Sequence, residues 1–336
     1  MPELVLDARA PFDFASTARF LRFTEAELVD TFAGGLYRRA IHFGERLFLL
    51  SVEADGTVAR PAVRVKLAPE QFAAPQVLDD ATRAVRRMFS LEHDLAGWRA
   101  RLARDPFMRQ LEAGHRGLHL PRWPSLFEAL VTSILLQQIA TSVAITFRRR
   151  VVERYGEAFE LGGESYFAFP RAGVLARARV EELRALGLSN AKAACIIEVA
   201  RASAAGELDA ATLEREDNET VIARLSSLRG IGRWTAEWAL MLHFGRPDVF
   251  PAADLFLRGV VVKYYNRGAA MSEREIRAFA AKRWGAYQSY SALYFLAGMR
   301  AGTITLKPER VLSFDQRDAK PTHRRQRKIA DPQDET

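Results

Sequence analysis

The sequence predicts a mainly α-helical protein preceded by a small α+β domain, on three observations. Near the start of the chain, apolar and polar residues alternate with the period of a strand. From about Asp79 onward, apolar residues recur at helical spacing instead. The connections in this second part are short and contain Gly or Pro, as in a compact helical bundle. With 336 residues, the chain is long enough for two or three compact units.

The α+β domain is predicted over residues 1–78. Its helix is expected at 14–23 and its strands at 36–43, 46–53 and 63–67. A small sheet with one helix could form a binding saddle or a stabilising cap. We favour the cap, because no residue of the sheet suggests chemistry. The candidate buried positions of the helix are Phe14, Ala18, Leu21 and Phe23.

The helical domain is predicted over residues 79–306, and a tail over 307–336. The tail is polar and contains the basic run from His323 to Lys328, so we expect it to be disordered. A solvated end is the simpler interpretation of this tail, and nonspecific tethering to DNA is the alternative. The candidate helices of the second domain lie at 80–88, 91–103, 106–113, 125–138, 140–154, 171–176, 179–186, 189–204, 211–215, 218–227, 233–243, 254–265, 272–282 and 286–300.

Composition narrows the functional classes. A formal charge of +8 and a pI near 9.8 make nucleic acid the first partner to consider, although an arginine-rich proteome would give the same balance. The single cysteine, Cys195, can form neither an internal disulfide nor an iron–sulfur cluster, and it disfavours a structural zinc site. The start is unlike a secretory signal, and no run of about 18 apolar residues could span a membrane. We therefore expect a cytoplasmic protein with no membrane partner.

The stretch from Leu228 to Thr235 carries the first functional signal. Gly230 and Gly232, separated by Ile231, allow a sharp turn and leave amide groups exposed at the start of the next helix. Free donors and the helix dipole attract a phosphate to such a terminus, and Arg233 adds positive charge. A tight connection between two helices, with no ligand, explains a lone Gly-x-Gly as simply.

Asp254 lies at the mouth of the predicted helix 254–265, 22 residues after Gly232. The common use of such an aspartate is as an N-cap. A catalytic use is compatible with capping, because the positive end of a helix favours an ionised carboxylate. Near a bound phosphate backbone, this carboxylate could stabilise positive charge on a sugar as its base departs, and could orient the attacking water.

The run 228–236, followed by Pro251 and Asp254, resembles the helix–hairpin–helix–Gly/Pro–Asp (HhH-GPD) superfamily of DNA glycosylases. The segment Gly-Ile-Gly-Arg-Trp-Thr-Ala at 230–236 is similar to the 3-methyladenine DNA glycosylase II branch. Weaker similarities extend over residues 10–300. The resemblance implies a helical HhH-GPD bundle that follows a small N-terminal α+β domain.

The resemblance also implies how DNA would be held. The hairpin would grip a phosphate, and Gln138 matches the side chain that fills the gap left by a flipped base, although glutamine replaces the leucine of the family. Backbone carbonyls would hold a monovalent cation, Na⁺ or K⁺, and no other cofactor is implied. The implied DNA contacts are Gly230, Ile231, Gly232, Arg233, Thr235 and Gln138, and the implied cation ligands are the carbonyls of Ser226, Leu228 and Ile231.

Trp234 decides the reaction subtype within this resemblance. Bifunctional members carry a lysine there, whose amine attacks the sugar. Because tryptophan cannot form a Schiff base, water is the expected nucleophile and an intact abasic site the expected product. Trp234 and Trp238, one helical turn apart, either stack on a cationic base or pack in the core. Leu255 and Leu296 stand where the best-known branch has aromatic residues, which predicts a differently shaped base pocket.

The implied function is that of a monomeric, monofunctional glycosylase that flips alkylated bases out of double-stranded DNA and hydrolyses them off with Asp254. A base alkylated on a ring nitrogen is cationic and leaves readily, so one carboxylate suffices, whereas ordinary glycosidases need a second one. Two alternatives stay open. A glycosylase for hypoxanthine, uracil or an oxidised purine would need an additional acid. A non-catalytic HhH protein that binds damaged DNA would have no need for a carboxylate facing phosphates.

Overall fold

The computed structural model describes residues 3–22 and 27–306. Phe23, which we expected to be buried, and the tail at 307–336, which we expected to be disordered, lie outside these residues. Within the described ranges, no helix is long and apolar enough to cross a membrane. The predicted fold class, a helical bundle after a small α+β unit, is confirmed.

The N-terminal unit is a five-stranded antiparallel sheet in the order β1-β5-β4-β3-β2. The three predicted strands are present, and the edge strands β1 and β2, of four residues each, were missed because such short segments show little periodicity. The helix α1 (Phe14–Leu21) is capped by the Asp13 side chain, which accepts a hydrogen bond from the Ser16 amide. The strands are β1 (Leu4–Asp7), β2 (Asp30–Ala33), β3 (Leu36–Phe43), β4 (Arg46–Ala54) and β5 (Ala62–Ala68).

Both faces of this sheet are covered by other parts of the chain. Side chains of β4 alternate between the faces, so Phe48 and Leu50 enter one core while Leu47 and Leu49 enter another. The first core lies under α1 and the following helix, and the second lies under a hairpin of two strands, β6 (Ala158–Leu161) and β7 (Glu164–Phe167), which sequence analysis missed. A sheet covered on both faces supports the stabilising cap over the binding saddle.

The remainder of the described chain is helical, and every predicted helix has a counterpart, with shifts confined to the ends. The largest shifts are at the starts of two helices: the helix predicted at 80–88 begins five residues earlier, at Pro75, and the helix predicted at 91–103 begins five residues later, at Ala96. The helices are α2 (Pro75–Met88), α3 (Ala96–Leu102), α4 (Pro106–Gly114), α5 (Leu126–Leu136), α6 (Thr141–Tyr155), α7 (Ala172–Leu175), α8 (Val180–Ala185), α9 (Asn190–Ala204), α10 (Ala210–Glu214), α11 (Asn218–Ser226), α12 (Arg233–Leu242), α13 (Leu255–Tyr265), α14 (Glu273–Trp284) and α15 (Gln288–Arg300).

Helix α12 joins the two cores of the helical part. Its residues Ala236 and Leu240 pack in a core formed mainly with α5, α9 and α11. Trp238 and Met241, on the other side of the same helix, pack in a core that includes residues of α13 and α15. Because α12 is held on both sides, the loop that precedes it is presented from a rigid support.

A buried network of charges connects the sheet to the helices. Arg39 on β3 is paired with Asp30 (2.7 Å) and with Glu128 on α5, and Arg148 on α6 is paired with Glu128 (2.7 Å) and with Glu27. All five side chains are buried. Since each arginine contacts two of the three carboxylates, removal of either arginine would leave carboxylate charge uncompensated away from water.

Candidate active site

The two glycines of the predicted hairpin, between α11 and α12, have different structural roles. Gly230 has a φ of +84°, and a Cβ added there would lie 2.8 Å from the Cys195 Sγ atom of α9. Gly232 has an extended backbone (φ −94°, ψ 174°), and an added Cβ would meet nothing within 4 Å. Gly230 is therefore required by the fold, whereas the bare surface at Gly232 leaves room for something outside the chain.

Alanine substitution should separate these two roles. We expect Gly230→Ala to lower the free energy of unfolding by about 1–3 kcal/mol, because it combines a left-handed backbone with a steric clash. Gly232→Ala should change the unfolding free energy by less than about 0.5 kcal/mol, as is usual for surface positions. Urea denaturation of both variants would check this, and equal losses at the two positions would contradict the assignment.

The N terminus of α12 has unused hydrogen-bond donors. No side chain caps it at Gly232, and the first amide groups of any helix have no partner within the helix. Ile231 is 4% exposed and fills the space under the turn, so it contributes packing and only its backbone faces outward. The turn therefore presents free amides and a positive helix end, which together suit an anion.

Two of the predicted DNA contacts have side chains that are bonded to other side chains of the protein. The Arg233 guanidinium is bonded to Glu219 and Glu237, whose negative charges compensate its positive charge and raise its pKa. The Thr235 side chain is buried, and its hydroxyl accepts a hydrogen bond from Gln137. These side chains stabilise the hairpin, and only their backbone amides lie in the uncapped first turn.

Asp254 caps α13, as its position in the sequence predicted. Its Oδ1 accepts a hydrogen bond from the Leu257 amide (3.0 Å), and its Oδ2 accepts one from the Trp234 indole Nε1 (3.2 Å). Burial raises the pKa of this half-buried carboxyl above its ordinary value, although these two hydrogen bonds and one from the Phe256 amide oppose the rise. The expected net stabilisation of the ionised form by the helix end is therefore outweighed by desolvation.

The two tryptophans that could stack on a base, Trp234 and Trp238, differ in their exposure. Trp238 is 9% exposed and belongs to the core, which favours its packing role. Trp234 is only half-buried, contacts Trp238 edge-on with ring centroids 6.1 Å apart, and is bonded to Asp254. Leu255, which directly follows Asp254, and Leu296 on α15 are also half-buried. Trp234 is thus the ring that the structure places beside the carboxylate.

The carbonyls predicted to hold a cation lie at the end of α11 and in the turn after it. Ser226 is the last residue of that helix, where carbonyls lack partners within the helix. The Leu228 carbonyl accepts a hydrogen bond from the Ile231 amide (3.1 Å), which leaves its second lone pair available. No cluster of three or more His, Cys, Asp or Glu side chains in the described ranges could hold a metal ion.

Gln137 was not among the predicted site residues, although it directly precedes Gln138, the residue predicted to fill the gap left by a flipped base. Gln138 is exposed, lies just after α5, and has a left-handed backbone with φ of +54°. The Gln137 side chain points the other way, and its Nε2 donates to the Gly230 carbonyl (3.0 Å) and to the Thr235 hydroxyl (2.9 Å). The adjacent pair of glutamines was the available signal, but only a structure shows that one of them faces the hairpin.

Family models and known proteins agree with this geometry. Residues 131–286 match the HhH-GPD superfamily of base excision DNA repair proteins, and residues 3–125 match the AlkA N-terminal domain. Over 289 residues the chain is 28% identical to DNA-3-methyladenine glycosylase 2 of Escherichia coli, covering 86% of this chain and 95% of that protein. It is 29% identical over 216 residues to DNA-3-methyladenine glycosylase of Bacillus subtilis, covering 64% and 71%.

A solved structure supports the same relationship over almost the whole described chain. The 3-methyladenine DNA-glycosylase of Archaeoglobus fulgidus superposes with a TM-score of 0.77 at 26% identity, covering 88% of this chain and 98% of that one. The hairpin and Asp254 both lie inside the region matched by the superfamily model. The chain therefore belongs to the HhH-GPD superfamily of base excision DNA repair proteins, in its 3-methyladenine DNA glycosylase II branch.

Proposed function

We propose that this protein is a monofunctional DNA glycosylase that excises alkylated bases from double-stranded DNA and leaves an abasic site. The observation that carries the proposal is the contact between Asp254 and Trp234. It places a carboxylate and a partly exposed aromatic ring together. Trp234 lies in the first turn of α12, directly after the uncapped turn at Gly232, and Asp254 follows Gly232 by 22 residues in the sequence. The names of the E. coli, B. subtilis and A. fulgidus proteins, all 3-methyladenine glycosylases, support this substrate class.

The hairpin supplies the grip on DNA in this proposal. Phosphate oxygens would accept hydrogen bonds from the free amides at the start of α12, and the dipole of that helix would favour their charge. Gly232 has no side chain to hold the DNA backbone away, which agrees with the open space beside it. Gln138, exposed at the α5–α6 turn, would enter the gap left by the extruded base. We expect the protein to act as a monomer.

The carbonyls of Ser226, Leu228 and Ile231 would hold Na⁺ or K⁺ beside the phosphate. Their fit rests on the Ser226 carbonyl at the end of α11, which lacks a partner within the helix, and on the second lone pair of the Leu228 carbonyl in the turn that follows. Partial negative charge at this helix end suits a hard cation. The ion would supply positive charge next to a phosphate oxygen. The chain's own contribution is to orient the three carbonyls through the turn that Gly230 closes.

Asp254 would carry out the chemistry together with water. As the bond between base and sugar lengthens, positive charge develops on the sugar, and an ionised carboxylate next to it lowers the energy of that state. The same carboxylate can orient the water that attacks the sugar carbon. The proton of that water leaves to solvent or to the departing base. Trp234 offers no amine for a covalent intermediate, so the strand stays intact.

An alkylated base suits the ring beside this carboxylate. A base alkylated on a ring nitrogen carries positive charge, and attraction between a cation and an aromatic face contributes about 0.5–2 kcal/mol. Such a base is also a good leaving group, so it needs no second carboxyl to protonate it. Leu255 and Leu296 would form apolar walls in place of additional aromatic rings.

The test uses duplexes that each carry one defined lesion: a 3-methyladenine analogue, ethenoadenine, hypoxanthine or uracil. Each reaction is divided and analysed on a gel with and without alkali. We expect strand breaks in the alkylated duplexes only after alkali. Breaks without alkali would contradict the monofunctional mechanism. Excision of uracil or hypoxanthine alone would favour the neutral-lesion alternative, and tight binding without excision would favour a damage-binding protein.

The hydrogen bond from Trp234 to Asp254 predicts a pH effect. This bond lowers the pKa of Asp254, so Trp234→Phe should raise that pKa further above its ordinary value. Catalysis requires the ionised carboxylate, so the acid limb of the kcat–pH profile should move to higher pH in the variant. Trp238→Phe is the matched control, because the Trp238 Nε1 atom is buried without a hydrogen-bond partner. An unmoved acid limb in Trp234→Phe, or equal shifts in both variants, would contradict the assignment.

A further inference from the structure

The turn between α5 and α6 is fixed at two points to other helices. Gln137 donates from Nε2 to the Gly230 carbonyl and the Thr235 hydroxyl, which lie on either side of the hairpin turn. On the other side, the Lys192 Nζ atom of α9 donates to the Leu135 carbonyl at 2.7 Å, at the end of α5. The turn is thus tied both to α9 and to the hairpin.

The residue between these fixed points and α6 has a strained backbone. Gln138 has a φ of +54°, a conformation that costs a residue with a side chain on the order of 1 kcal/mol or more. Such a conformation persists when the surrounding structure holds it. The two tethers are N-terminal to Gln138, and they fix the direction in which its exposed side chain leaves the surface.

We infer that Gln137 is a positioning residue that fixes the α5–α6 turn to the turn between α11 and α12, so that Gln138 enters the duplex at a fixed distance from the bound phosphate. This inference rests on the proposed function. It adds the residue that sets the distance between the two contacts with DNA, which are the bound phosphate and the inserted Gln138 side chain. Gln137 itself touches no reacting atom.

The chemistry of the side chain explains why glutamine suits this position. Its amide nitrogen carries two hydrogens, which serve one carbonyl and one hydroxyl at the same time. Methionine has a similar length and no donor. In Gln137→Met the turn would keep its packing and its Lys192 contact but lose the bonds to the hairpin. A displacement of about 1 Å between positioning groups can cost on the order of 100-fold in rate.

The test is a cycle of two substitutions, Gln137→Met and Gln138→Ala, with their double variant. Single-turnover excision from an alkylated duplex is measured for all four proteins. Gln137→Met should slow excision by about 10-fold to 100-fold, with little change in melting temperature. In the Gln138→Ala background, the same change should have little further effect, because Gln137 acts through Gln138. Multiplied losses in the double variant, or no loss in Gln137→Met, would overturn the inference.

A second readout separates this inference from the proposed function. Base flipping is followed in the Asp254→Asn background by the fluorescence of a 2-aminopurine placed next to the lesion, which rises when the bases unstack. Gln137→Met should reduce that rise, and Thr235→Val should reduce it in the same direction. If wild type flips the lesion but does not excise it, the proposed glycosylase function is wrong, yet the effect of Gln137 on base flipping can still be measured. Unchanged flipping in Gln137→Met would overturn the coupling alone.

Discussion

Asp254→Asn should lower the single-turnover rate of excision on the order of 1,000-fold or more, while duplex binding and the fold are retained. The neutral amide cannot stabilise positive charge on the sugar. It can still cap α13, because asparagine is as good an N-cap as aspartate and its oxygen can accept from the Leu257 amide. Rate, duplex affinity and melting temperature would be measured together.

The pKa shift gives the sign of the expected change in stability. Burial holds the pKa of Asp254 above its unfolded value, so this group favours folding at low pH, and that contribution is lost as pH rises through the folded pKa. At neutral pH the ionised carboxylate therefore lowers the free energy of unfolding, and asparagine removes this effect. Asparagine also lacks the second oxygen that accepts a hydrogen bond from Trp234, which acts in the opposite direction. We expect the variant to unfold within about 1 kcal/mol of wild type. A variant that keeps its activity, or one that fails to fold, would contradict the assigned role.

Arg148→Met should lower the free energy of unfolding by about 3–5 kcal/mol, the largest stability effect that we predict. Arg148 is 2% exposed and is paired with Glu27 and Glu128, which are themselves buried. Methionine would fill most of the volume but would leave these two carboxylates without their shared partner. Burial raises the pKa of Glu128, so protonation of this carboxyl removes its charge and the deficit should shrink as the pH is lowered.

The neighbouring Arg149 provides a matched control for the buried arginine. Its side chain is 50% exposed and forms a pair within α6 with Glu153 at 2.8 Å. Such a surface pair contributes about 0–1 kcal/mol, so Arg149→Met should be nearly neutral. Denaturant unfolding of both variants at neutral pH would measure the difference. Similar losses at the two positions would show that the buried network is not what holds the sheet to the helices.

Helical periodicity predicted the second part of the chain well, because most of its helices bury one face against a core, whereas α5 and α15 are buried on almost every side. The elements that were missed are short. Strands β1, β2, β6 and β7 have four residues each, and the partner of β1, strand β5, is also distant in sequence. The β6–β7 hairpin also buries few of its own residues, with Tyr166 the main one, so its alternation is weak in the sequence.

The site was predictable to the extent that it depends on local chemistry. Asp254 before an apolar helix indicated both a cap and a catalytic carboxylate, and the structure has the cap. Contacts between distant segments were not predictable. Glu237 lies one helical turn after Arg233, a spacing that favours an ion pair, but nothing near Arg233 indicates its second partner, Glu219. Likewise, nothing near Gly230 indicates that Gln137 reaches its carbonyl. The expected ionising effect of the helix end was outweighed by burial, which the sequence does not display.

If this site excises alkylated bases by hydrolysis, the released product is a free base, and its identity can be measured. Duplex DNA methylated at random would be incubated with the protein, and the small-molecule fraction would be separated by liquid chromatography and identified by mass. We expect wild type to release free 3-methyladenine faster than the spontaneous loss seen with Asp254→Asn. Release no faster than with that variant, or release of a base still attached to sugar, would contradict it.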